Sequence, residues 1–259
     1  MGKKLHVAVI QADLKWEEPE ANLKQFSDKI QKLSSEVELI ILPEMFTTGF
    51  SMNAKELAEE NDGPTLHWMQ NIAKSKNTAI TGSVIITENG NYYNRLFFVF
   101  PDASYKTYDK RHTFTLAKEN LTYTAGKERL TVEYKGWKIC PLVCYDLRFP
   151  VFSRNTDDYD LLIYVANWPE KRVEAWDILL RARAIENMAY CIGLNRTGED
   201  GDGYIYNGHT GIYDCLGAPL IEENREREFV KEACLDKAHL QDHRNHLKFL
   251  QDRDSFTLN

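Results

Sequence analysis

The chain has 259 residues, 43% of them hydrophobic, 12% aromatic and 27% charged, with a formal net charge of -7. That apolar content supports a sizeable core, and nothing approaches the ~20 consecutive apolar residues of a membrane span. The acidic balance argues against nucleic acid or an anionic membrane surface as partner, but leaves room for a small acid held by one or two cations.

The chain opens Met1-Gly2-Lys3-Lys4 and runs into a short apolar stretch, Leu5 to Ile10, so no signal peptide is expected and the location expected is cytoplasmic. Leu5–Ala12 reads as a buried strand. Leu23, Phe26, Ile30 and Leu33 follow at spacings of three and four, which predicts an amphipathic helix. Val37–Leu42 is a second strand, stopped by Pro43-Glu44. A helix is predicted around Leu66, Met69 and Ile72, opening near Pro64. Strands Ala79–Thr87 and Tyr92–Phe100 flank Glu88-Asn89-Gly90-Asn91, where Asn-Gly signals a hairpin.

Further strands are predicted at Leu130–Tyr134, Trp137–Val143 and Tyr159–Val165. Pro141 lies inside the second of these and implies an edge or a bulge. Trp176, Leu180, Ala184 and Met188 mark a helix over about 170–188, with Pro169 suited to its first turn. Late strands are expected near Tyr190–Asn195, His209–Asp214 and Phe229–Leu235. No linker, repeat or low-complexity tract interrupts the chain, which predicts a single domain over 1–259, with a core of about 5–235 and an extension of about 236–259. Early helix–strand alternation followed by hairpins fits two face-to-face sheets with helices outside.

Five cysteines, an odd number without a CxxC pair, fit reduced thiols. Cys140, Cys191, Cys215 and Cys234 read as packing residues. His239, His243 and His246 share one face of a C-terminal helical segment, but the surrounding Lys, Asp and Arg residues fit a solvated helix better than a metal site.

Three chemically capable residues each stand just after a strand-like run: Glu44 after VELIILP, Lys110 after SYKTYD and Cys144 after WKICPLV. Strand ends in α/β proteins can bring several segments into one pocket. Taken singly, a surface glutamate, a solvated lysine and a buried cysteine are the plainer readings. Together, LPEMFTTGF, YDKRHTF and VCYDLRFP resemble the three signature segments of the nitrilase superfamily, from about residue 5 to about residue 235.

That resemblance implies a four-layer α-β-β-α sandwich and hydrolysis of non-peptide carbon–nitrogen bonds by Glu44, Lys110 and Cys144. It also implies that Glu119, in KENLTYTAG, is a second glutamate beside the lysine. YVANWPEKR, ARAIEN and GLNRTG resemble the bacterial omega-amidase branch, which deamidates short dicarboxylate monoamides such as alpha-ketoglutaramate and alpha-ketosuccinamate.

Amide hydrolysis needs a nucleophile, a proton carrier and an oxyanion partner. In that scheme Cys144 attacks, Glu44 carries the proton, and Lys110 and the backbone N–H of Tyr145 receive the oxyanion, with neither metal nor organic cofactor. Arg148 is a candidate for the substrate carboxylate, against a structural ion pair. Phe46, Asn167 and Trp168 are pocket candidates, against core packing. The same triad serves an aliphatic amidase, an N-carbamoylase or a nitrilase, and a noncatalytic scaffold is the alternative of a different class. The resemblance further implies a homodimer.

Overall fold

Side chains alternate between the faces of a strand, and β1 (Lys4–Gln11) is apolar on both. In this computed structural model, which describes residues 3–222 and 226–257, Val7 and Val9 join one core while Ala8 and Ile10 join another. α1 (Pro19–Ile30) covers the second of these faces with Phe26 and Ile30, and Pro19 occupies its first turn. β2 (Leu39–Ile41) lies parallel to β1, and α2 (Pro64–Lys76) adds Leu66, Met69 and Ala73 to the same outer layer. β3 (Ala79–Glu88) runs parallel to β2, and β4 (Asn91–Val99) and β5 (Tyr105–Asp109) follow antiparallel. The β3–β4 hairpin turns at Asn89 and Gly90, both at positive φ, as a tight two-residue turn requires.

β6 (Val132–Tyr134), β7 (Trp137–Val143) and β8 (Leu161–Val165) begin the second sheet. α3 (Val173–Asn187) crosses to β9 (Tyr190–Leu194), and β10 (Gly211–Tyr213) closes a five-stranded order β10-β9-β8-β7-β6. Gly193 lets α3 approach this sheet: a Cβ there would stand 2.2 Å from Leu180 Cδ1, an impossible separation. β11 (Phe229–Asp236) returns to the first sheet, antiparallel to β1, completing a seven-stranded sheet of order β11-β1-β2-β3-β4-β5 with the short strand Glu59–Glu60 beside β3. α4 (Lys237–Leu247) follows, its N-terminus capped by the Asp236 side chain. The layers therefore run helix, sheet, sheet, helix, and a large core of β1, β2 and β4 with β7, β8 and β9 lies between the sheets.

Several local expectations are corrected. Pro169 precedes a 3-10 turn, Glu170–Arg172, and α3 starts only at Val173. Leu33 is buried beyond the end of α1, β5 is a full sheet member, and a ribbon pairs Thr197–Glu199 with Ile205–Asn207. Pro141 marks an edge: β6 pairs with β7 only as far as Ile139, while the β7–β8 register runs unbroken through Pro141↔Ile163. Cys140, Cys191 and Cys215 are buried, but Cys234 is exposed on the edge strand β11, 3.5 Å from His6 Nε2. His239 pairs with Asp214 and stacks edge-on with His243, and the described residues contain no cluster of three or more metal-ligating side chains.

Candidate active site

The parallel strands deliver three of the site's segments at their C-terminal ends. Leu42-Pro43-Glu44 continues β2, and the turn after it is pinned to β3: the Phe46 N–H donates to the Ser83 carbonyl at 3.1 Å and the Met45 N–H to Ser83 Oγ at 2.9 Å. Met45 takes φ 42°, a left-handed conformation uncommon for a non-glycine residue. Cys144 follows β7 directly at φ 44° and opens the 3-10 turn Cys144–Arg148. Asn167 follows β8. Lys110 leaves β5, its N–H donating to the Asn94 carbonyl of β4 at 3.0 Å. Two left-handed backbones, one beside Glu44 and one at Cys144 itself, are a pattern found at functional sites.

Glu44, Lys110 and Glu119 form one buried cluster. Lys110 Nζ lies 2.9 Å from Glu44 Oε1 and 2.9 Å from each Glu119 oxygen, and all three side chains are essentially inaccessible. Asn94 Nδ2 donates to Glu44 Oε1 at 2.8 Å and reaches Glu119 Oε1 at 3.4 Å. The Asn167 N–H donates to Glu44 Oε2 at 2.8 Å, and Asn167 Nδ2 to the Glu44 carbonyl at 2.6 Å. The Phe114 N–H donates to Glu119 Oε2. Every oxygen of both carboxylates thus has a donor, the condition for holding charge inside a protein.

The electrostatics follow from that packing. Burial alone would depress Lys110, but the Glu119 and Glu44 carboxylates override it and raise its pKa above the usual lysine range. Burial, reinforced by Glu44, raises Glu119 despite the opposing Lys110. Burial, then the Glu44 carboxylate, lifts the Cys144 thiol well above its ordinary value, again against Lys110. The resting nucleophile candidate is a thiol beside a ready proton acceptor.

Cys144 and Lys110 open into a cavity of about 440 Å³, within the size range of small-ligand sites, walled by Phe50, Tyr145, Asn167, Trp168 and Tyr206. Cys144 Sγ lies 3.9 Å from the Asn167 carbonyl. Arg148 lies over the Trp168 ring at 5.1 Å, and Arg172 over the Phe114 ring at 4.9 Å. Both guanidinium groups line the cavity, and neither has a carboxylate partner among the described residues.

Glu44, Lys110, Glu119, Cys144, Tyr145, Arg148, Asn167 and Trp168 are therefore brought together. Phe46 is not: the turn at Met45 carries it to the opposite face, where its ring meets Phe26 of α1 at 5.6 Å and Trp68 of α2 at 5.9 Å. Phe50 takes the pocket position instead. Sequence reasoning missed Phe50, Asn94, Arg172 and Tyr206. Asn94 left the clearest signal, a buried amide beside Arg95 in the largely apolar and aromatic YYNRLFFV.

The family model for carbon-nitrogen hydrolases matches residues 6–245. The omega-amidase YafV of Yersinia enterocolitica is 42% identical over 254 residues, 98% of each chain. A 2-oxoglutaramate amidase of Bacillus subtilis is 35% identical, covering 87% of this chain and 88% of its own. Among solved structures, a CN-hydrolase superfamily protein of Xanthomonas campestris, with an arsenic adduct in its active site, superposes with a TM-score of 0.97 at 43% identity, covering 99% of this chain and all of its own.

Proposed function

The chain belongs to the carbon-nitrogen hydrolase family, and on that premise we propose that it is a cysteine-dependent omega-amidase acting as a single hydrolase unit. It releases ammonia from the terminal amide of small dicarboxylate monoamides such as alpha-ketoglutaramate and alpha-ketosuccinamate. The observation that carries this reading is the union of two features in one cavity. A buried Glu44–Lys110–Glu119 cluster beside a cysteine supplies amide chemistry, and two arginines without a carboxylate partner among the described residues supply a carboxylate reader.

The chemistry follows from the groups present. Glu44 takes the thiol proton as Cys144 Sγ bonds to the amide carbon. The oxyanion forms against the Lys110 ammonium and the Tyr145 N–H. The carbon–nitrogen bond breaks as Glu44 returns the proton to the departing ammonia, leaving a thioester on Cys144. Water, deprotonated by Glu44, attacks the thioester, and the released acid leaves behind a Cys144 thiol that recovers its proton from Glu44. Glu119 holds Lys110 between the two carboxylates.

Ammonia release from a panel tests this reading: alpha-ketoglutaramate, glutamine, a simple aliphatic amide, a nitrile and an N-carbamoyl amino acid. Preferential turnover of alpha-ketoglutaramate is expected. Preference for another member keeps the triad and moves the specificity to an aliphatic amidase, nitrilase or N-carbamoylase. An inert panel favours the noncatalytic scaffold. Arg148→Gln and Arg172→Gln are each expected to raise KM for alpha-ketoglutaramate about 10-fold through loss of a charge-assisted contact, with kcat little changed and the neutral aliphatic amide unaffected. Equal losses on both substrates would reject the carboxylate assignment.

The proposed enzyme is a cytoplasmic homodimer, with Ile178 and Ile185, exposed on α3, as apolar contact candidates. No helix among the described residues is long and apolar enough to cross a membrane. Sedimentation showing only monomer at micromolar concentration rejects the dimer, and recovery in the membrane or secreted fraction rejects the location.

A further inference from the structure

Asp146 follows Cys144 by two residues, and its side chain is completely buried. Its carboxylate receives four donors. Oδ2 accepts from the Val143 N–H at 3.0 Å and from the Tyr108 hydroxyl at 2.7 Å. Oδ1 accepts from the His112 N–H at 3.0 Å and lies 2.7 Å from His112 Nδ1. An ionised carboxylate only accepts, so Nδ1 carries the hydrogen in this arrangement. All of its acceptor capacity is used.

The origin of these donors is what gives the arrangement meaning. Val143 is the residue before the nucleophile candidate. Tyr108 and His112 are the residues two before and two after Lys110. One carboxylate therefore ties the turn that carries Cys144 to both sides of the segment that carries Lys110. Packing reinforces the tie: the His112 ring stacks on Phe149 at 3.7 Å and 6°, and the Phe149 N–H closes the 3-10 turn on the Asp146 carbonyl at 3.0 Å. Arg183 of α3 holds the same turn from the other side, Nη2 donating to the Leu147 carbonyl at 2.7 Å. Burial and the Asp146 charge keep the Tyr108 hydroxyl protonated, so this donor persists across ordinary pH.

We propose that Asp146 is a positioning residue that sets the placement of the Cys144 sulfur relative to the Lys110 ammonium, acting through Tyr108, His112 and the backbone of Val143. The proposal rests on the roles given above to Cys144 and Lys110. Asp146 touches no reacting atom. Its contribution is geometric, and a displacement of about 1 Å between reacting groups is enough to cost roughly 100-fold in rate.

Asp146→Asn keeps the shape but faces at least one of the four donors with an amide N–H₂. Tyr108→Phe removes one tether and leaves the carboxylate. Both variants are compared with wild type in the full-length protein by kcat and KM for alpha-ketoglutaramate, per mole of folded protein, and by the rate of iodoacetamide alkylation at Cys144, read on its own peptide so that the exposed Cys234 does not contribute. In Asp146→Asn, kcat is expected to fall about 10- to 100-fold with KM within about threefold, and alkylation to slow at least about threefold as the sulfur leaves the ammonium. Tyr108→Phe shifts both in the same direction by less. If Asp146→Asn does not fold, the tyrosine variant decides. Unchanged kcat and alkylation in a folded variant overturn the proposal, as does a loss that sits entirely in KM. If wild type hydrolyses none of the panel while alkylation still slows in the variants, the amidase reading fails and the positioning role stands.

Discussion

Cys144→Ala is expected to lower amide turnover by about 10⁴- to 10⁶-fold while leaving the fold intact, the scale seen when a covalent nucleophile is removed from a preorganised site. What survives is the cavity, the Glu44–Lys110–Glu119 cluster and the arginines, so substrate binding persists while chemistry stops. The backbone gives no reason for collapse. Alanine meets the same positive φ that cysteine already accepts, and the exchange is neutral for neutral because burial and then Glu44 keep the thiol protonated. The melting temperature is therefore expected to move by only a few degrees.

The same raised thiol has a second consequence. If Cys144 rested as a thiolate, its alkylation rate in wild type would plateau at neutral pH. Held above the ordinary thiol range, it should instead react faster as pH rises, with no plateau below about pH 8.5. Ammonia release, melting curves and the alkylation profile together decide this. Turnover by the variant within tenfold of wild type removes Cys144 as nucleophile, and an early plateau removes Glu44 as the base that takes its proton.

How much of this could be read in advance depends on the distance over which each contact is decided. The placement of Glu44 and Cys144 at strand ends was legible because a strand's end is a local property, while the roles proposed for them came from the resemblance of the segments around them and not from that placement. The Asn89-Gly90 hairpin was legible for the same reason, since its turn chemistry is contained in two residues. Phe46 was misread because its orientation depends on the left-handed Met45, which sends the next side chain toward α1 and α2. Asn94 was missed because its value lies in meeting Glu44 fifty residues away. Tyr206 and Arg172 reach the cavity only once the Thr197–Asn207 ribbon and the turn before α3 are in place. Pattern predicts the layers, but the walls of the pocket come from segments that meet only in three dimensions.

Lys110→Met tests the centre of the site and should cost both rate and stability. In the native protein one ammonium serves two buried carboxylates at 2.9 Å, and their charge keeps it protonated against the penalty of burial. Methionine keeps the length and removes the charge, so Glu44 and Glu119 are left facing one another with Asn94 as their shared donor. Breaking a buried pair in this way typically costs about 3–5 kcal/mol. For a chain of this size that is a melting temperature lower by roughly 6–20 °C. Loss of the proposed oxyanion donor should lower kcat by about 10²- to 10³-fold in the protein that remains folded.

The pH dependence gives this prediction its sign. Burial already holds Glu119 above the usual carboxylate range, and losing the opposing lysine raises it further. Between the unfolded value, about 4.3, and the raised folded value, the folded state holds a proton that the unfolded state has released. Stability therefore falls as pH rises through that window, and the deficit of Lys110→Met against wild type should be smaller at pH 5 than at pH 8. Adding Glu119→Gln removes one of the two opposed charges, so the double variant should regain part of the lost stability and none of the lost turnover. A deficit that is equal or larger at pH 5, or a double variant no more stable than the single one, would mean that the lysine does not hold the two carboxylates together by charge.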